Sequence, residues 1–469
     1  MEEFLRRVGQ RVWGWPLMLL FLGVGALYTV RLKGVQFRRL GRALRLIRPQ
    51  ESADGISPFA ALCTALAATV GTGNIVGVAT ALAAGGPGAL LWMLIAAVFG
   101  MATQYAEGFL AVRYRRREKD GWFGGPFCYI EQGLGSRFRW LAVTFAVTGA
   151  AVGLLGVGTT AQVNSITGAA DAFFPSETAI VLGGRSYSFA VVISGALTAF
   201  AAALVLLGGV RRITKVCEAL VPVMAALYLL FSAVLLIRLA DRIPSALALI
   251  VRSAFRPEAA LGAGAGVSVK LALRMGIGRG VFTNEAGLGS SPIAAAASDE
   301  TDPVKQGLLS MTATFIDTLV ICTVTGLCLV VTGAWNAPLE GVKITDAAWR
   351  TGLPWPERVS SFVLVVCLIF FAFATIIGWN FYAERCVCYL TGEKPRVRKI
   401  YRVFYLLAVA AGPYVTVSAA WELADILNAA MAIPNLAALL LLQNRVVAGT
   451  VPAKRTKCTV NRAENENSC

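Results

Sequence analysis

The 469-residue chain contains no histidine. That absence removes the commonest proton shuttle, general base and metal ligand together. Charge is scarce as well, with Asp, Glu, Lys and Arg at 15% of residues against 57% hydrophobic. No polar stretch is long enough to bury a core of its own, so the several domains that the length suggests reduce to one integral membrane domain. The ten cysteines carry no metal pattern. Cys63, Cys217, Cys322, Cys328 and Cys367 fall inside apolar runs, where a thiol behaves as a small hydrophobe. Cys386 and Cys388 lack a second pair at ligand spacing, so neither disulfides nor zinc are expected. Nor does a small-residue cleavage site follow Arg6-Arg7 and the apolar stretch 15–30, which reads as an uncleaved helix.

What is present is hydrophobic length and positive charge. The mean hydropathy is +0.66, and 43 basic against 27 acidic residues leave a net charge of +16. The basic groups cluster between apolar runs: Arg31 to Arg48, Arg113 to Lys119, Arg211 to Lys215, Lys394 to Arg402 and Lys454 to Lys457. That distribution points to a bilayer and not to nucleic acid, and it marks the cytoplasmic side. Apolar spans are expected at 15–30, 58–84, 88–112, 140–167, 187–207, 216–239, 262–297, 307–332, 359–390, 400–420 and 421–442, with 127–134 lying at the interface. With the first basic loop inside, alternation puts all five clusters inside, the N-terminus outside and the C-terminus in the cytoplasm. Arg238, Arg242, Arg252 and Arg256 then fall outside, against the trend.

The predicted fold is thus an all-α polytopic membrane protein of about 11 transmembrane helices. Residues 1–57 hold a leading helix and basic loop, 58–240 a first five-helix repeat, 241–445 a second one, and 446–469 a cytoplasmic tail. Each repeat opens on a glycine-broken helix. Five is odd, so the second repeat is inverted relative to the first, which is the transporter arrangement with solute and ion at the midplane, as in the leucine transporter.

The first break is Gly71-Thr72-Gly73-Asn74. Backbone left unpaired in hydrocarbon costs several kcal/mol, so a break there needs a partner. Amides at the start of the second half-helix suit a carboxylate, and carbonyls of Ala67 and Val70 suit a sodium ion. The alternative is a small-residue seam for close helix packing. The second, Gly276 to Pro292, carries Arg279 and Glu285, which either pair with each other or face substrate. Phe282 and Thr283 are candidates for the pocket wall. Glu107 and Asp317, also inside apolar spans, are either ion or proton sites or packing partners. Gln162, Asn164 and Ser165 form a further polar cluster.

These stretches resemble the alanine/glycine:cation symporter family. The resemblance rests on Gly71-Thr72-Gly73-Asn74-Ile75-Val76-Gly77, Gly85-Gly86-Pro87-Gly88-Ala89, Gly100 to Glu107, Phe282-Thr283-Asn284-Glu285-Ala286-Gly287, Ile376-Ile377-Gly378-Trp379 and Ala432-Ile433-Pro434-Asn435. It implies sodium-coupled symport of alanine and glycine by alternating access, with no cofactor beyond the coupling ion and no protein or nucleic-acid partner. Carried over by position, Gly71, Thr72 and Gly73 hold the substrate carboxylate, with Asn74, Gln162, Phe282, Thr283 and Asn284 around it. Ala67, Val70 and Thr375 hold sodium. Trp379, which by itself reads as an interfacial anchor, closes the pocket. Proton coupling and a channel are the alternatives. A membrane enzyme is disfavoured, since no catalytic dyad is legible.

Overall fold

The computed structural model describes residues 7–9, 11–49, 55–118, 121–174, 178–182, 185–255, 269–415 and 417–451. The start of the span expected from 262 and the Lys454 to Lys457 cluster lie outside them. The chain is nearly all helix. A leading helix α1 (Trp15–Arg31) precedes the bent pair α2 (Pro58–Thr69) and α3 (Gly73–Gly85), which meet at 50°. α4 (Gly88–Arg113) is followed by a hairpin of β1 (Arg116–Glu118) and β2 (Gly121–Phe123), then by the short α5 (Pro126–Leu134). α6 (Arg139–Leu155) and α7 (Thr160–Phe173) form one interrupted span. A second hairpin, β3 (Ala179–Leu182) with β4 (Arg185–Ser188), leads into α8 (Phe189–Leu206) and α9 (Gly209–Arg238). The later half comprises α10 (Ile243–Phe255), α11 (Val269–Asn284), α12 (Ser291–Ala297) and α13 (Pro303–Thr332). It ends with α14 (Val342–Gly352), α15 (Glu357–Thr391), α16 (Pro395–Ala411) and α17 (Val417–Thr450).

Among the described residues, seven helices are long and apolar enough to cross a membrane, eight when the bent pair counts as one span. They match eight of the eleven expected positions. α1 and α16 have 17 residues each, and the span around α11 and α12 is broken. The sequence reading missed several features for identifiable reasons. Tyr187 belongs to β4, because its polar neighbours Arg185 and Ser186 pair across the hairpin. α9 begins at Gly209, so Arg211, Arg212 and Lys215 are its first turns and not a loop. The amphipathic α10 and α14, of 13 and 11 residues, are too short to register as spans, and α14 is polar besides. α17 runs on to Thr450, past residue 445.

Lipid-facing surfaces are read from exposed apolar stripes at helical spacing: Ile193, Leu197, Phe200 and Leu204 on α8, and Ile400, Val403, Phe404 and Leu407 on α16. The interior is instead small and tight. α4 packs against both α11 and α13, and a Cβ added at Gly276 would fall on the Ala89 carbonyl, one at Gly280 within 3.1 Å of Met93 Cγ. Of the stretch Gly276 to Pro292, expected to hold a break, the first part up to Asn284 therefore lies within an intact α11, where Gly276 and Gly280 let α4 approach. Small residues at helix contacts do this in membranes.

Candidate functional site

The first break forms because α2 stops at Thr69 and Val70 turns extended, with ψ at 90°. Ser57 caps the start of α2 by accepting the Ala60 amide at 3.0 Å, and Pro58 opens the helix. At the other end the Gly71 N–H donates to Asn74 Oδ1 at 2.9 Å instead of continuing the ladder to the Ala67 carbonyl. An asparagine side chain competing for backbone in this way is typical of helix ends. It corrects one expectation: the Gly71 amide is occupied by Asn74 here, and Asn74 is a strut of the break. Beyond it, Gly73–Gly77 forms a π turn into α3. Thr72 donates to Gln162 Oε1 at 3.0 Å, tying the break to the start of α7.

The second break lies at residues 285–290, past the end of α11. Glu285, Gly287 and Gly289 have φ of 55°, 87° and 86°. The left-handed region costs a non-glycine residue about 1–2 kcal/mol, so Glu285 must be held. Its carboxylate accepts from Trp379 Nε1 at 3.0 Å and from the Ser290 hydroxyl. Arg279 does not pair with it. That guanidinium stands 3.7 Å from Asp425 Oδ1 and over the rings of Phe282 and Trp421.

Polar side chains from distant spans support this break. Glu107 accepts the Gly287 amide at 3.3 Å and Asn435 Nδ2 at 2.6 Å, and Asn435 also donates to the Gly287 carbonyl at 2.9 Å. Gln104 donates to the Asn284 carbonyl at 3.3 Å. Tyr129 donates to Asn435 Oδ1. Glu107 thus has partners that account for it as backbone support. Trp379, buried on α15, is likewise a brace of the break; it belongs to no membrane interface.

One hydrogen-bonded chain joins the two breaks. Asn74, which holds the Gly71 amide, donates to Asp317 Oδ1 at 2.7 Å. Thr318 donates to Asp317 Oδ2 at 2.7 Å, and Asn284 Nδ2 donates to Thr318 at 3.2 Å. Asn284 Oδ1 in turn accepts the Ala286 amide at 3.0 Å. Asp317 and Thr318 sit on a π turn of α13, Phe315–Cys322, a local irregularity often found at functional sites. Asp317 is fully buried, and no basic group pairs with it among the described residues. The sequence signal for this link was the lone acid within an apolar span; its partners were not legible.

Between the breaks lies a cavity of about 10 Å³, room for roughly one water. Gly71, Gly73, Gln162, Phe282, Thr283 and Thr375 line it, six of the residues expected from the sequence, together with Ala68, Thr69, Val157 and Glu285. Thr72, Asn74, Asn284, Trp379, Ala67 and Val70 stand behind that wall. Approach is close enough to require glycine. A Cβ at Gly71 would fall on Thr375 Oγ1, one at Gly73 would lie 2.9 Å from Thr283 Cγ2, and one at Gly378 would lie 2.8 Å from the Ala68 amide nitrogen.

Two discontinuous helices facing each other across a small polar cavity, embedded in apolar spans, define a secondary transporter of the broken-helix class and not an enzyme. A mutant manganese transporter of Eremococcus coleocola shares the fold, with a TM-score of 0.50 at 14% identity, covering 84% of this chain and 81% of that one. The chain belongs to the sodium:alanine symporter family, whose model matches residues 1–462. It is 41% identical to the sodium/alanine symporter AgcS of Methanococcus maripaludis, over 96% of both chains. An uncharacterized transporter of Haemophilus influenzae is 46% identical, over 96% of this chain and 95% of its own. The probable sodium/glutamine symporter GlnT of Bacillus subtilis is 34% identical, over 95% of this chain and 89% of its own. The resemblance read from the motifs is thereby confirmed. The protein is a multi-pass membrane symporter that couples amino-acid movement to sodium.

Proposed function

We propose that the protein imports small neutral amino acids, alanine and glycine, by sodium symport across the plasma membrane with alternating access. The observation that carries this reading is the cavity itself: residues of both breaks and of α7 and α15 close on a space of about 10 Å³, which must widen for any amino acid and has to widen least for one with a small side chain. The amides at the head of α3 and the hydroxyl of Thr283, which lines the cavity, suit a carboxylate, and Thr72 would join them by releasing Gln162. Glu285 on the opposite wall offers negative potential to an ammonium group. Gln162 sits within reach of either end.

Sodium is proposed at Ala67, Val70 and Thr375. The Ala67 carbonyl lacks its usual donor, because Gly71 bonds Asn74, and Thr375 Oγ1, which donates to the Phe371 carbonyl at 3.1 Å, keeps lone pairs for a cation. Sodium there would fix the end of α2 before the amino acid arrives, which makes each ligand raise the affinity of the other. The distribution of basic clusters supports an orientation with the N-terminus outside and the C-terminus inside.

Counterflow of labelled alanine in proteoliposomes, with and without sodium, tests the reading. Exchange is expected only with sodium. Uptake that ignores sodium and follows an imposed pH gradient would establish the proton-coupled alternative, and uptake without exchange would establish a channel. A Thr375→Val variant is expected to raise the sodium concentration for half-maximal uptake about tenfold, roughly 1.4 kcal/mol, with Thr375→Ser restoring it. Sodium dependence unchanged in Thr375→Val would remove this hydroxyl from the ion site.

A further inference from the structure

Ten residues beyond Thr375 on α15, or about 15 Å along the helix, a second and much larger cavity of about 540 Å³ opens at the end of the bundle that carries the Arg113 to Lys119 cluster. Its wall is strongly basic. Arg117 of β1, Arg211 of α9, Arg385 of α15 and Arg398 and Arg402 of α16 all line it, against the acids Glu118 and Asp299. Most of these charges have protein partners. Arg402 grips Glu384 through two bonds of 2.6 and 2.7 Å, and Arg398 stands 3.7 Å from the same carboxylate. Glu118 lies 2.6 Å from Arg116 Nε.

Arg385 differs from the rest. It is only 4% exposed, and its Nε is buried without a hydrogen-bond partner. Its guanidinium forms no ion pair with any described residue. It lies 5.6 Å from the ring centre of Phe123 and 5.5 Å from that of Phe381. Such ring contacts return about 0.5–2 kcal/mol, less than the cost of burying an unpaired cation. A positive group so placed, facing a cavity with further arginines, calls for an anion from outside the chain. The rigid fork of a guanidinium matches the oxygens of a phosphate in particular.

We propose that Arg385 is the centre of a phosphate-binding site at this end of the bundle, filled by the headgroup of an anionic phospholipid or by a free phosphate compound. The site lies where α15, which carries Thr375, meets the β1–β2 hairpin and the start of α16, so its occupant ties a helix that lines the transport cavity to these two elements.

The test uses the full-length protein and does not depend on transport. Thermal unfolding is followed in detergent as inorganic phosphate is titrated at fixed sodium and fixed ionic strength. The same measurement is made in nanodiscs of phosphatidylcholine with and without phosphatidylglycerol. The wild-type protein is expected to gain several degrees in at least one arm, and the arm that responds identifies the source. Arg385→Met keeps the bulk between the two rings and removes the charge, and the gain is expected to vanish in it. If that variant yields no folded protein, Arg385→Lys replaces it; this keeps the charge, loses the fork, and is expected to need at least fivefold more phosphate for the same gain. A wild-type protein indifferent to phosphate and to phosphatidylglycerol overturns the proposal, as does a variant that responds like the wild type.

Discussion

Gly73→Val is expected to lower sodium-dependent alanine uptake at least a hundredfold while the protein still inserts and purifies in normal yield. The reason is local. A Cβ alone at position 73 would stand 2.9 Å from Thr283 Cγ2, closer than such atoms come in real structures, and the two further methyl groups of valine fill a cavity of about 10 Å³. β-branching also disfavours the turn that begins α3. None of this touches the lipid-facing surfaces that govern insertion. A hundredfold loss corresponds to about 2.8 kcal/mol. Binding of labelled alanine to the purified variant provides the check, and wild-type affinity there would reduce the first break to a packing seam.

Asp317→Leu is expected to abolish transport, whereas Asp317→Asn retains a measurable fraction with unchanged sodium dependence. Leucine leaves the Thr318 hydroxyl without its acceptor and takes from Asn74 its shortest bond. A buried polar group left unpaired costs about 1–3 kcal/mol, and the side-chain link between the Gly71 and Ala286 amides is cut, leaving Asn74 its 3.2 Å bond to the carbonyl of residue 317 on that side. Asparagine can rebuild it: its Oδ1 accepts from Asn74 and its Nδ2 donates to Thr318, whose hydroxyl rotates to suit. Uptake measured against sodium concentration separates the two roles open to this acid. If the asparagine variant loses transport as completely as the leucine variant, the negative charge is itself needed and Asp317 belongs to an ion site.

The comparison of these two variants shows where sequence reading stops. Asp317 was visible as an acid in an apolar span, and the choice between ion site and packing partner was open. Its partners Asn74 and Thr318 decide what it holds, and Asn74 is 243 residues away in sequence. The same applies to Glu107, Trp379 and Asn435, which stand in three separate motifs. Read singly, Glu107 is an ion site or a packing partner and Trp379 an interfacial anchor, yet all three converge on the break at 285–290, Glu107 and Asn435 on the Gly287 backbone and Trp379 on the Glu285 carboxylate. The stretch Gly276 to Pro292 does break, but only in its second part, at 285–290. Glycine weakens a helix in isolation, yet at Gly276 and Gly280 α4 packs so closely against α11 that glycine is required to keep the helix where it is.

Hydrophobic length and the spacing of apolar runs determined that this chain is a helical membrane protein, because runs of about 20 apolar residues fit the bilayer as helices, which satisfy their own backbone where no water can. Local glycine chemistry determined that the chain breaks near residue 71, and the motif order determined the family. Only the tertiary structure decided which amide is free and which is taken, where the second break falls, and which buried acid serves which backbone. Apart from the local bond of Asn74 to the Gly71 amide, those outcomes depend on hydrogen bonds between residues far apart in sequence, and on close approaches between helices. Neither leaves a periodic trace in the sequence.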